Sequence, residues 1–502
     1  MSKVYLVGSG PGDPGLVTLK AKKVIETCDV MIYDYLANEE FLSWCRPETE
    51  IFYVGKKGGE HTLPQDKINE LIISKAGEGK TVCRLKGGDP YVFGRGGEEA
   101  EELVEAGVDF EVVPGITAGV AAPAYAGIPV THRDHTTSVC FITGHEDPTK
   151  ETSGHSWEVY ARSSSTLVFY MGVKNLPMIA ESLMRHGRAK DTPVALVRWG
   201  TRCNQESFLS TLEHVAEEAE KRSFKAPSII VVGGVCSLKP KLEWFEKRPL
   251  LNKGVVVTRA REQASQLVEL VEEMGGCCFE FPTIRIDPMP DYQAVQAAIQ
   301  DLAAYDWLVF TSVNGVKHFW RQLERLELDS RALGGRMVAA IGPATADALR
   351  AQGISADFVP DKYVAEHVVQ GLLELGVAGK KVLIPRALKA REVLPQELRR
   401  AGAEVTILPV YQTSLVQESG QAILDGLEQG SIHCVTFTSS STVENFFELV
   451  DREALSHFVP DRVKLACIGP VTAQTLSGYG FSTDIMPEDY TIPALAKALA
   501  DI

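Results

Sequence analysis

The sequence predicts an α/β protein made of two segments. Strand-like apolar runs alternate with helical stretches and glycine turns on both sides of a short interruption, KPKLEWFEKRPLLNK at 239–253. Such alternation is typical of parallel sheets covered by helices. The interruption carries prolines and charges and loses the periodicity of its surroundings. We therefore expect a linker at 247–253 that joins the segments 1–246 and 254–502.

Length and composition limit the class of protein. A chain of 502 residues allows about three or four domains. A formal net charge of −15 argues against sequence-independent binding to nucleic acid, which needs a basic face. No apolar run approaches the roughly 20 residues that span a bilayer, and the opening VYLVG is a strand rather than a signal region. We expect a soluble cytoplasmic protein with no membrane partner.

The cysteines and histidines do not predict a metal site. The ten cysteines are scattered singly, apart from Cys277 and Cys278, and they form no C-x-x-C pair. Most are expected to be small buried hydrophobes. His132 and His135 have a ligand-like spacing, but no carboxylate or cysteine completes the set. We therefore expect no bound metal.

The C-terminal segment repeats itself at an offset of 127 residues (437 minus 310). FTS at 310–312 recurs at 437–439, and IGP at 341–343 recurs at 468–470. One offset maintained across half of the chain predicts two similar lobes. Glycine- and threonine-bearing strand ends can meet a ligand in a cleft between such lobes. The alternative is a duplicated scaffold without a site.

The N-terminal segment opens with a strand, a glycine turn and a helix. The run VYLVG leads into Gly8, Gly10 and Gly12, which resembles a dinucleotide-binding turn. However, Pro11 and Pro14 remove backbone donors and delay the helix, so the usual pyrophosphate cradle is compromised. The turn therefore predicts a ligand-facing loop but not NAD.

Two further blocks predict a ligand site. RLKGGDPYVFGRGGEE at 84–99 has five glycines within eleven residues, more than a structural turn needs. In this block, Asp89 can accept hydrogen bonds from ribose-like hydroxyls. In VVPGITAGVAAPAYAGIPVTHRDH at 112–135, the small residues Thr117 and Ala118 can pack beside an adenosine. Arg133 in the same block favours carboxylate binding, with an ordinary polar loop as the alternative.

In combination, GSGPGDPGLVT, GRGGEE and PGITA resemble the tetrapyrrole methylases, and among them uroporphyrinogen-III C-methyltransferase. The resemblance runs from Val4 to about Cys236. It implies two α/β subdomains divided near residue 130, S-adenosylmethionine held between them, and a homodimer formed through this half. The cofactor contacts that it implies are Pro11, Gly87, Gly88, Asp89, Val92, Thr117, Ala118, Met171 and Gly200.

The implied chemistry requires alignment of a sulfonium methyl with an electron-rich pyrrole carbon, and a group that manages a proton. Asp34 matches the family's proposed base, although a carboxylate there can also orient the macrocycle through its pyrrole N–H groups. Lys56 matches a proposed acid or a carboxylate anchor. The candidate substrate anchors, with solvated side chains as the alternative, are Arg84, Lys86, Arg95 and Arg133.

The C-terminal motifs VTRA, FTSVNGV, IGPATA, PVYQT, FTSSST and IGPVTA resemble uroporphyrinogen-III synthase from about Gly254 to Ile502. That family closes hydroxymethylbilane without a cofactor, and its chain usually crosses between the lobes twice. Tyr411, whose repeat mate is Ile284, would assist departure of the hydroxyl group, or is otherwise an interface tyrosine. The other matched cleft positions are Thr345, Ser439, Ser440 and Thr472.

These resemblances predict a bifunctional enzyme of tetrapyrrole biosynthesis. Its C-terminal half would make uroporphyrinogen III, and its N-terminal half would methylate that product at C2 and C7 to give precorrin-2. One alternative is another methylase of the cobalamin pathway, which the GRGGEE block and the second half speak against. The other is a tetrapyrrole-binding regulatory module, which the presence of Gly87–Asp89, Asp34 and Tyr411 speaks against.

Overall fold

The computed structural model has the mixed α/β fold that the sequence predicts. It describes residues 3–55, 63–145, 154–258, 261–281, 284–360, 365–390, 392–415, 420–459 and 461–502. The chain forms two compact units. Unit 1 consists of Met1–Val255, Glu269–Cys278 and Leu499–Ile502, and unit 2 consists of Val256–Val268 and Phe279–Ala498.

The first half of unit 1 is a parallel sheet with the strand order β3-β2-β4-β1-β5. Its elements are β1 (Val4–Gly8), α1 (Leu19–Thr27), β2 (Val30–Tyr33), β3 (Glu50–Tyr53), α2 (Gln65–Gly77), β4 (Val82–Lys86), α3 (Gly96–Glu105), β5 (Phe110–Val113) and α4 (Ala118–Tyr125). All five strands run in one direction, so the loops after β1, β2, β4 and β5 lie at the same edge of the sheet. These loops carry the glycine-rich blocks.

The second half of unit 1 is a mixed sheet with the order β6-β7-β10-β8-β9. Its elements are β6 (Val139–Thr143), α5 (Trp157–Arg162), β7 (Thr166–Tyr170), α6 (Leu176–Arg185), β8 (Pro193–Arg198), β9 (Glu206–Thr211), α7 (Val215–Lys221), β10 (Ser228–Val232) and α8 (Lys239–Leu242). Strand β10 runs antiparallel to both of its neighbours, β7 and β8. The expected subdomain division near residue 130 falls between β5 and β6.

The stretch at 239–253, of which residues 247–253 were expected to be a linker, belongs to unit 1 and packs against α4 of that unit. The indole Nε1 of Trp244 donates a hydrogen bond to the carbonyl oxygen of Ala124 at 3.1 Å, and the ring of Phe245 lies 4.8 Å from that of Tyr125. Leu250 is fully buried. The apolar side chains of this stretch hold it against the protein, which its prolines and charges did not indicate.

The C-terminal segment forms two sheets connected by helices. Its elements are β11 (Gly254–Val257), α9 (Arg261–Glu273), β12 (Cys277–Glu280), β13 (Ile284–Pro288), α10 (Gln293–Gln300), β14 (Trp307–Phe310), α11 (Val313–Arg325), β15 (Met337–Ala340), α12 (Pro343–Ala351), α13 (Ala365–Glu374), β16 (Lys381–Ala387), α14 (Val393–Arg400), β17 (Glu404–Leu415), α15 (Gly420–Glu428), β18 (Cys434–Phe437), α16 (Ser440–Leu449), α17 (Arg452–Ser456), β19 (Lys464–Cys467), α18 (Pro470–Gly478) and α19 (Ile492–Ala498).

The two sequence repeats are interleaved between these sheets. The four-stranded sheet has the order β12-β11-β18-β19, and the five-stranded sheet has the order β13-β17-β16-β14-β15. Each sheet therefore takes strands from both repeats, and the chain crosses between the sheets twice, as the resemblance implies. At the crossings, β13 pairs antiparallel with the end of β17, with Ile284 opposite Leu415 and Pro288 opposite Tyr411.

Aromatic side chains fill the interior on both sheets of this segment. Phe446 packs edge-on against Phe281 and Phe437, with ring centroids 5.5 and 5.3 Å apart, beneath the four-stranded sheet. Phe310 and Phe319 make a similar contact at 5.6 Å on the five-stranded sheet. Edge-to-face geometry contributes about 0.5–1.5 kcal/mol per pair beyond the burial itself. No helix within the described ranges is long and apolar enough to cross a bilayer.

One cysteine pair departs from the expectation of isolated buried thiols. Cys203, in the turn after β8, forms a disulfide with Cys277 at the start of β12, and their Cα atoms are 5.2 Å apart. Both residues belong to unit 1. The expectation is wrong for this pair because the fold brings two positions 74 residues apart within disulfide reach. The other eight cysteines are free thiols.

Candidate active site

A cavity of about 620 Å³ lies in unit 1, a volume within the usual range for small-molecule sites. The first sheet contributes Asp34 after β2 and the glycine block after β4. The second half of the unit contributes Tyr170 and Met171 at the end of β7 and Gly200 after β8. Ligands of α/β sheets bind beyond the carboxyl ends of the strands, which is where this cavity lies.

The structure brings most of the predicted site residues of this half together. The predicted residues that line the cavity are Pro11, Asp34, Arg84, Lys86, Gly87, Gly88, Asp89, Val92, Arg95, Thr117, Ala118, Met171 and Gly200. Arg133 is exposed in the turn between α4 and β6 and does not line it. Lys56 lies outside the described residues.

Close backbone packing explains several glycines of the three loops. A Cβ atom on Gly115 would lie 2.2 Å from the carbonyl oxygen of Gly88, and one on Gly8 would lie 2.6 Å from the same oxygen. Gly10 and Gly88 exchange backbone hydrogen bonds of 3.1 and 2.7 Å. These glycines therefore join the loops to each other, a role that their sequence pattern did not separate from ligand contact.

Asp89 clips two of these loops together. Its Oδ1 accepts a hydrogen bond from the amide of Tyr91 at 2.8 Å, and its Oδ2 accepts one from the amide of Gly115 at 3.0 Å. A carboxylate offers about four acceptor positions. Asp89 can thus hold the loops and still accept a hydrogen bond from a ligand hydroxyl.

A buried ion cluster forms part of the cavity wall. Oε1 of Glu99, near the start of α3, accepts hydrogen bonds from Lys86 Nζ at 2.6 Å, from Gln65 Nε2 at 3.1 Å and from Arg84 Nε at 3.2 Å. Arg84 and Lys86 are only 3% and 4% exposed. Burial lowers the pKa of Lys86, and the neighbouring Arg84 lowers it further. The two cations expected to bind substrate are thus already paired with a protein carboxylate, which burial of a charge requires.

Asp34 is a member of this cluster that lines the cavity and is more exposed than its partner Arg84. Its Oδ2 is 3.3 Å from Arg84 Nη2, and its Oδ1 accepts a hydrogen bond from the amide of Leu36 at 3.2 Å. The side chain is 28% exposed, in contrast to the buried Arg84. The carboxylate is therefore held in one orientation while it remains open to a ligand.

Aromatic side chains that the sequence analysis did not single out form much of the wall. Tyr35 lies edge-on to Trp199 at 6.0 Å, and Phe93 lies 5.0 Å from Tyr170. The Tyr170 hydroxyl accepts a hydrogen bond from the amide of Gly119 at 2.8 Å. Burial raises the pKa of Tyr170. Tyr170 could have been noticed from its place before Met171 at the end of an apolar run, where side chains point beyond the sheet.

Backbone strain is concentrated in the same wall. Phe93, Arg95, Met171 and Trp199 all line the cavity and have φ values between 48° and 58°. Residues other than glycine rarely adopt this left-handed backbone conformation, and those that do cluster at ligand sites. The strained positions extend the candidate site beyond the glycine motifs.

Arg202 is a further cation on the cavity wall that the sequence analysis missed. Its Nη2 donates a hydrogen bond to the carbonyl oxygen of Leu36 at 3.1 Å, and its guanidinium lies 4.9 Å from the ring of Trp199. Burial lowers its pKa, but a guanidinium keeps its charge in proteins. The wall can therefore present a fixed positive charge to an anionic ligand.

The predicted residues of the C-terminal segment lie on both of its sheets. Tyr411, in β17, is 7% exposed, and its hydroxyl lies 3.2 Å from Ser312 Oγ. The ring of His318 stacks on it at 5.4 Å. Burial raises the pKa of Tyr411, and the hydrogen bond to Ser312 opposes that shift. The phenol is therefore a neutral group that can donate a hydrogen bond.

The remaining predicted residues of this segment occupy the starts of helices. Thr345 lies in α12, beside the five-stranded sheet, and is buried. Ser439 caps α16, Ser440 is the first residue of that helix, and Thr472 is buried in α18, all beside the four-stranded sheet. The Ser440 hydroxyl accepts a hydrogen bond from Thr475 at 2.8 Å. The five predicted positions thus form two groups, one on each sheet.

Two family models match the chain. Residues 3–216 match the tetrapyrrole (corrin/porphyrin) methylases, and residues 265–497 match uroporphyrinogen-III synthase HemD. Among solved structures, uroporphyrin III C-methyl transferase from Thermus thermophilus is 37% identical over 47% of this chain and all of that chain, with a TM-score of 0.41. A uroporphyrinogen III synthase from the same organism is 22% identical over 50% of this chain and 98% of that one, with a TM-score of 0.29.

Two curated relatives are similar over long ranges. The S-adenosyl-L-methionine-dependent uroporphyrinogen III methyltransferase of Methanosarcina barkeri is 58% identical over 47% of this chain and 92% of its own length. The porphyrin biosynthesis protein HemD of Ruminiclostridium josui is 36% identical over 99% of this chain and 98% of its own length. The chain therefore belongs to the family of porphyrin biosynthesis proteins in which a tetrapyrrole methylase is followed by a uroporphyrinogen-III synthase.

Proposed function

We propose that the N-terminal half methylates uroporphyrinogen III at C2 and C7 to give precorrin-2, and that the C-terminal half makes uroporphyrinogen III from hydroxymethylbilane. The methyl donor would be S-adenosylmethionine. The observation that carries the proposal is that all nine expected cofactor contacts line one and the same cavity, together with Asp34. The names of the Methanosarcina barkeri and Ruminiclostridium josui relatives support it.

The cavity fits the proposed methyl donor. Gly88 has a φ of +68°, and a Cβ atom there would lie 3.7 Å from the amide nitrogen of Ala118 and 3.8 Å from Cα of Thr117. The glycine thus keeps a gap between two loops that both line the cavity. Asp89 offers acceptor positions to hydroxyl groups. When bound, the cofactor supplies an electrophilic methyl group on a sulfonium sulfur.

The protein's own groups would orient the tetrapyrrole and manage its proton. Asp34 would accept the proton that the substrate releases after its ring carbon gains a methyl group. Lys56 would serve as an acid or as a carboxylate anchor. Arg95 and Arg202 lie on the cavity wall and can pair with the substrate's carboxylates, which a protein of net charge −15 must attract through local cations. Arg133 would meet carboxylates outside the cavity.

In the C-terminal half, the neutral Tyr411 hydroxyl would donate a hydrogen bond to the departing hydroxyl group of hydroxymethylbilane. The hydrogen bond between Ser312 Oγ and the Tyr411 hydroxyl holds the tyrosine in place. The remaining expected positions would bind the open chain while it closes, and they are Thr345, Ser439, Ser440 and Thr472. No cofactor is needed, because the hydroxyl takes up a proton from the Tyr411 phenol or from solvent and leaves as water, and the remaining bilane is a stabilised cation. We further propose a cytoplasmic homodimer formed through the N-terminal half.

One experiment tests both halves. The purified protein is given hydroxymethylbilane with and without S-adenosylmethionine, and the products are identified by mass and by isomer. We expect uroporphyrinogen III without the methyl donor and a doubly methylated product with it. Uroporphyrinogen I in the first reaction would refute the synthase, and an unmethylated product from supplied uroporphyrinogen III would refute the methylase.

Two variants assign the activities to the halves, and each serves as the control for the other. Asp34→Asn is expected to lower methylation by roughly 100-fold, the size of a general acid–base contribution, while cyclisation stays unchanged. Tyr411→Phe is expected to slow cyclisation while methylation of supplied uroporphyrinogen III stays unchanged. Loss of both activities in either variant would contradict the assignment.

A further inference from the structure

We infer that Glu99 is a positioning residue for methyl transfer, because it fixes Arg84 and, through Arg84, the carboxylate of Asp34 at the cavity wall. Glu99 is the last residue of the GRGGEE block, but it is not among the candidate catalytic residues, the candidate substrate anchors or the implied cofactor contacts. Its role rests on the proposed function of the N-terminal half, in which Asp34 manages the substrate's proton.

The first support is that one guanidinium bridges the two carboxylates. Arg84 Nε donates to Glu99 Oε1 at 3.2 Å, while Arg84 Nη2 lies 3.3 Å from Asp34 Oδ2. The third nitrogen, Nη1, donates to the carbonyl oxygen of Leu85 at 3.1 Å. All three nitrogens have partners and the group is planar, so the position of Nη2 depends on the bond at Nε. Loss of the Glu99 carboxylate is therefore expected to shift the Arg84 guanidinium and, with it, the carboxylate of Asp34.

The second support is the charge balance of the cluster. Arg84 and Lys86 bring two positive charges into the protein interior, and the carboxylates of Glu99 and Asp34 bring two negative charges. Of the two carboxylates, Glu99 is 1% exposed and Asp34 faces the cavity. Without the charge on Glu99, Asp34 would be the one carboxylate among the described residues that remains paired with these cations. Asp34 would then be drawn toward both cations instead of toward the substrate.

The third support is the convergence of three donors on one oxygen of Glu99. Its Oε1 takes three hydrogen bonds, whereas its buried Oε2 has no hydrogen-bond partner among the described residues. Glu99 lies in the first turn of the ten-residue helix α3, where the helix dipole favours a negative charge. Three donors, two of them cationic, thus converge on one oxygen of a charge that the helix also favours, as expected for a group that fixes Arg84.

The test compares Glu99→Gln with a matched control on the same helix, Glu102→Gln, which changes an exposed side chain. Both full-length proteins are assayed for thermal unfolding, for S-adenosylhomocysteine binding and for methylation of uroporphyrinogen III. We expect Glu99→Gln to remain folded and to bind S-adenosylhomocysteine within about threefold of the unchanged protein. Its kcat should fall roughly 10–100-fold, since misplacement of a catalytic group by about 1 Å has effects of this size. Glu102→Gln should match the unchanged protein in all three assays.

Two further variants separate positioning from a structural role. Glu99→Asp keeps the charge and should recover part of the lost kcat. In an Asp34→Asn background, Glu99→Gln should lower kcat by less than about twofold, because two residues that act through one group have non-additive effects. A full additional loss in that background would overturn the inference, as would a kcat for Glu99→Gln within twofold of the unchanged protein.

If Glu99→Gln does not fold, the paired variant Glu99→Gln/Lys86→Met restores the charge balance and replaces it in the same assays. Failure of both variants to fold would make Glu99 a structural residue and overturn the inference. An unchanged protein that does not methylate would refute the proposed function and the inference with it. An active unchanged protein with an equally active Glu99→Gln would overturn the inference alone.

Discussion

Replacement of Gly200 by alanine tests whether the cavity depends on close contact between its walls. Gly200 follows β8, and a Cβ atom built on it would lie 2.2 Å from Cβ and 2.8 Å from Cα of Ala122 in α4. Both residues line the cavity, and Ala122 is 2% exposed. The added methyl group has no free space, so the turn after β8 and helix α4 must move apart.

The size of that movement can be taken from the distances. Ordinary van der Waals contact begins at 3.4 Å, so the 2.2 Å contact requires a displacement of about 1.2 Å. Overpacking of a tight site costs roughly 1–3 kcal/mol. For a unit of this size, that cost lowers Tm by about 2–12 °C. A displacement of about 1 Å in a wall that positions the reactants also lowers the rate of catalysis by roughly 100-fold.

The assay measures Tm, S-adenosylhomocysteine affinity by calorimetry and the rate of methylation. The matched control is Gly77→Ala at the end of α2, where an added Cβ atom meets nothing within 4 Å. We expect the control to match or slightly exceed the stability of the unchanged protein, since alanine is the better helix former. The double variant Gly200→Ala/Ala122→Gly removes the 2.2 Å contact and should recover part of the affinity.

An unchanged Tm and affinity for Gly200→Ala would refute this reasoning, because the walls would then have to tolerate the methyl group without moving. Failure of the double variant to recover any affinity would place the damage somewhere other than the contact with Ala122.

Three further predictions concern stability. Phe319→Ala removes a fully buried ring and should lower the free energy of unfolding of unit 2 by about 3–5 kcal/mol in urea titrations; a loss below about 1 kcal/mol would contradict the packing described. Cys203→Ser removes the disulfide to Cys277 and should lower the free energy of unfolding of unit 1 by up to about 4 kcal/mol. A thiol titration of the unfolded, unreduced parent protein should find eight free thiols, and ten would contradict the disulfide. Hydrogen bonds from Lys20 and Lys3 lower the pKa of Glu111 from 4.5 to about 2. Because the pKa of Glu111 is lower in the folded than in the unfolded protein, the stability that Glu111 contributes is complete above about pH 5 and is lost as the pH falls toward 2. The difference in urea stability between Glu111→Gln and the parent protein should therefore shrink from pH 5 to pH 2. A difference that widens over that range would contradict the pairing.

The glycine-rich blocks were predictable as a site because parallel strands direct their following loops to one edge of a sheet. Each block follows a strand, so residues far apart in sequence can meet in one place, whereas Asp34 was indicated only by the resemblance to the tetrapyrrole methylases. The 127-residue offset predicted two similar lobes for the same kind of reason, since repeated patterns of strands and helices form repeated structures.

The pairing of charges could not be predicted in this way. Arg84 and Lys86 lie two positions apart on β4, but their partner Glu99 is on a helix whose rotation against the sheet the sequence does not specify. The two cations therefore looked like free anchors. The disulfide was missed for a related reason, since the spacing of Cys203 and Cys277 contains no information about the fold between them.

The interleaving of the repeats has a consequence for the order in which the protein is synthesised. Strand β11 is completed early, but its neighbour β18 emerges much later, and the bond from Thr258 Oγ1 to the carbonyl oxygen of Thr436 joins positions 178 residues apart. At roughly 5–20 residues per second, β11 waits about 9–36 s for this partner on the ribosome. During that interval the apolar strand GVVV lacks its neighbour on the side of β18, and an unpaired strand edge of this kind promotes aggregation. The strands of the five-stranded sheet are all complete at Leu415, so translation favours closure of that sheet first and leaves the four-stranded sheet until the chain is nearly finished.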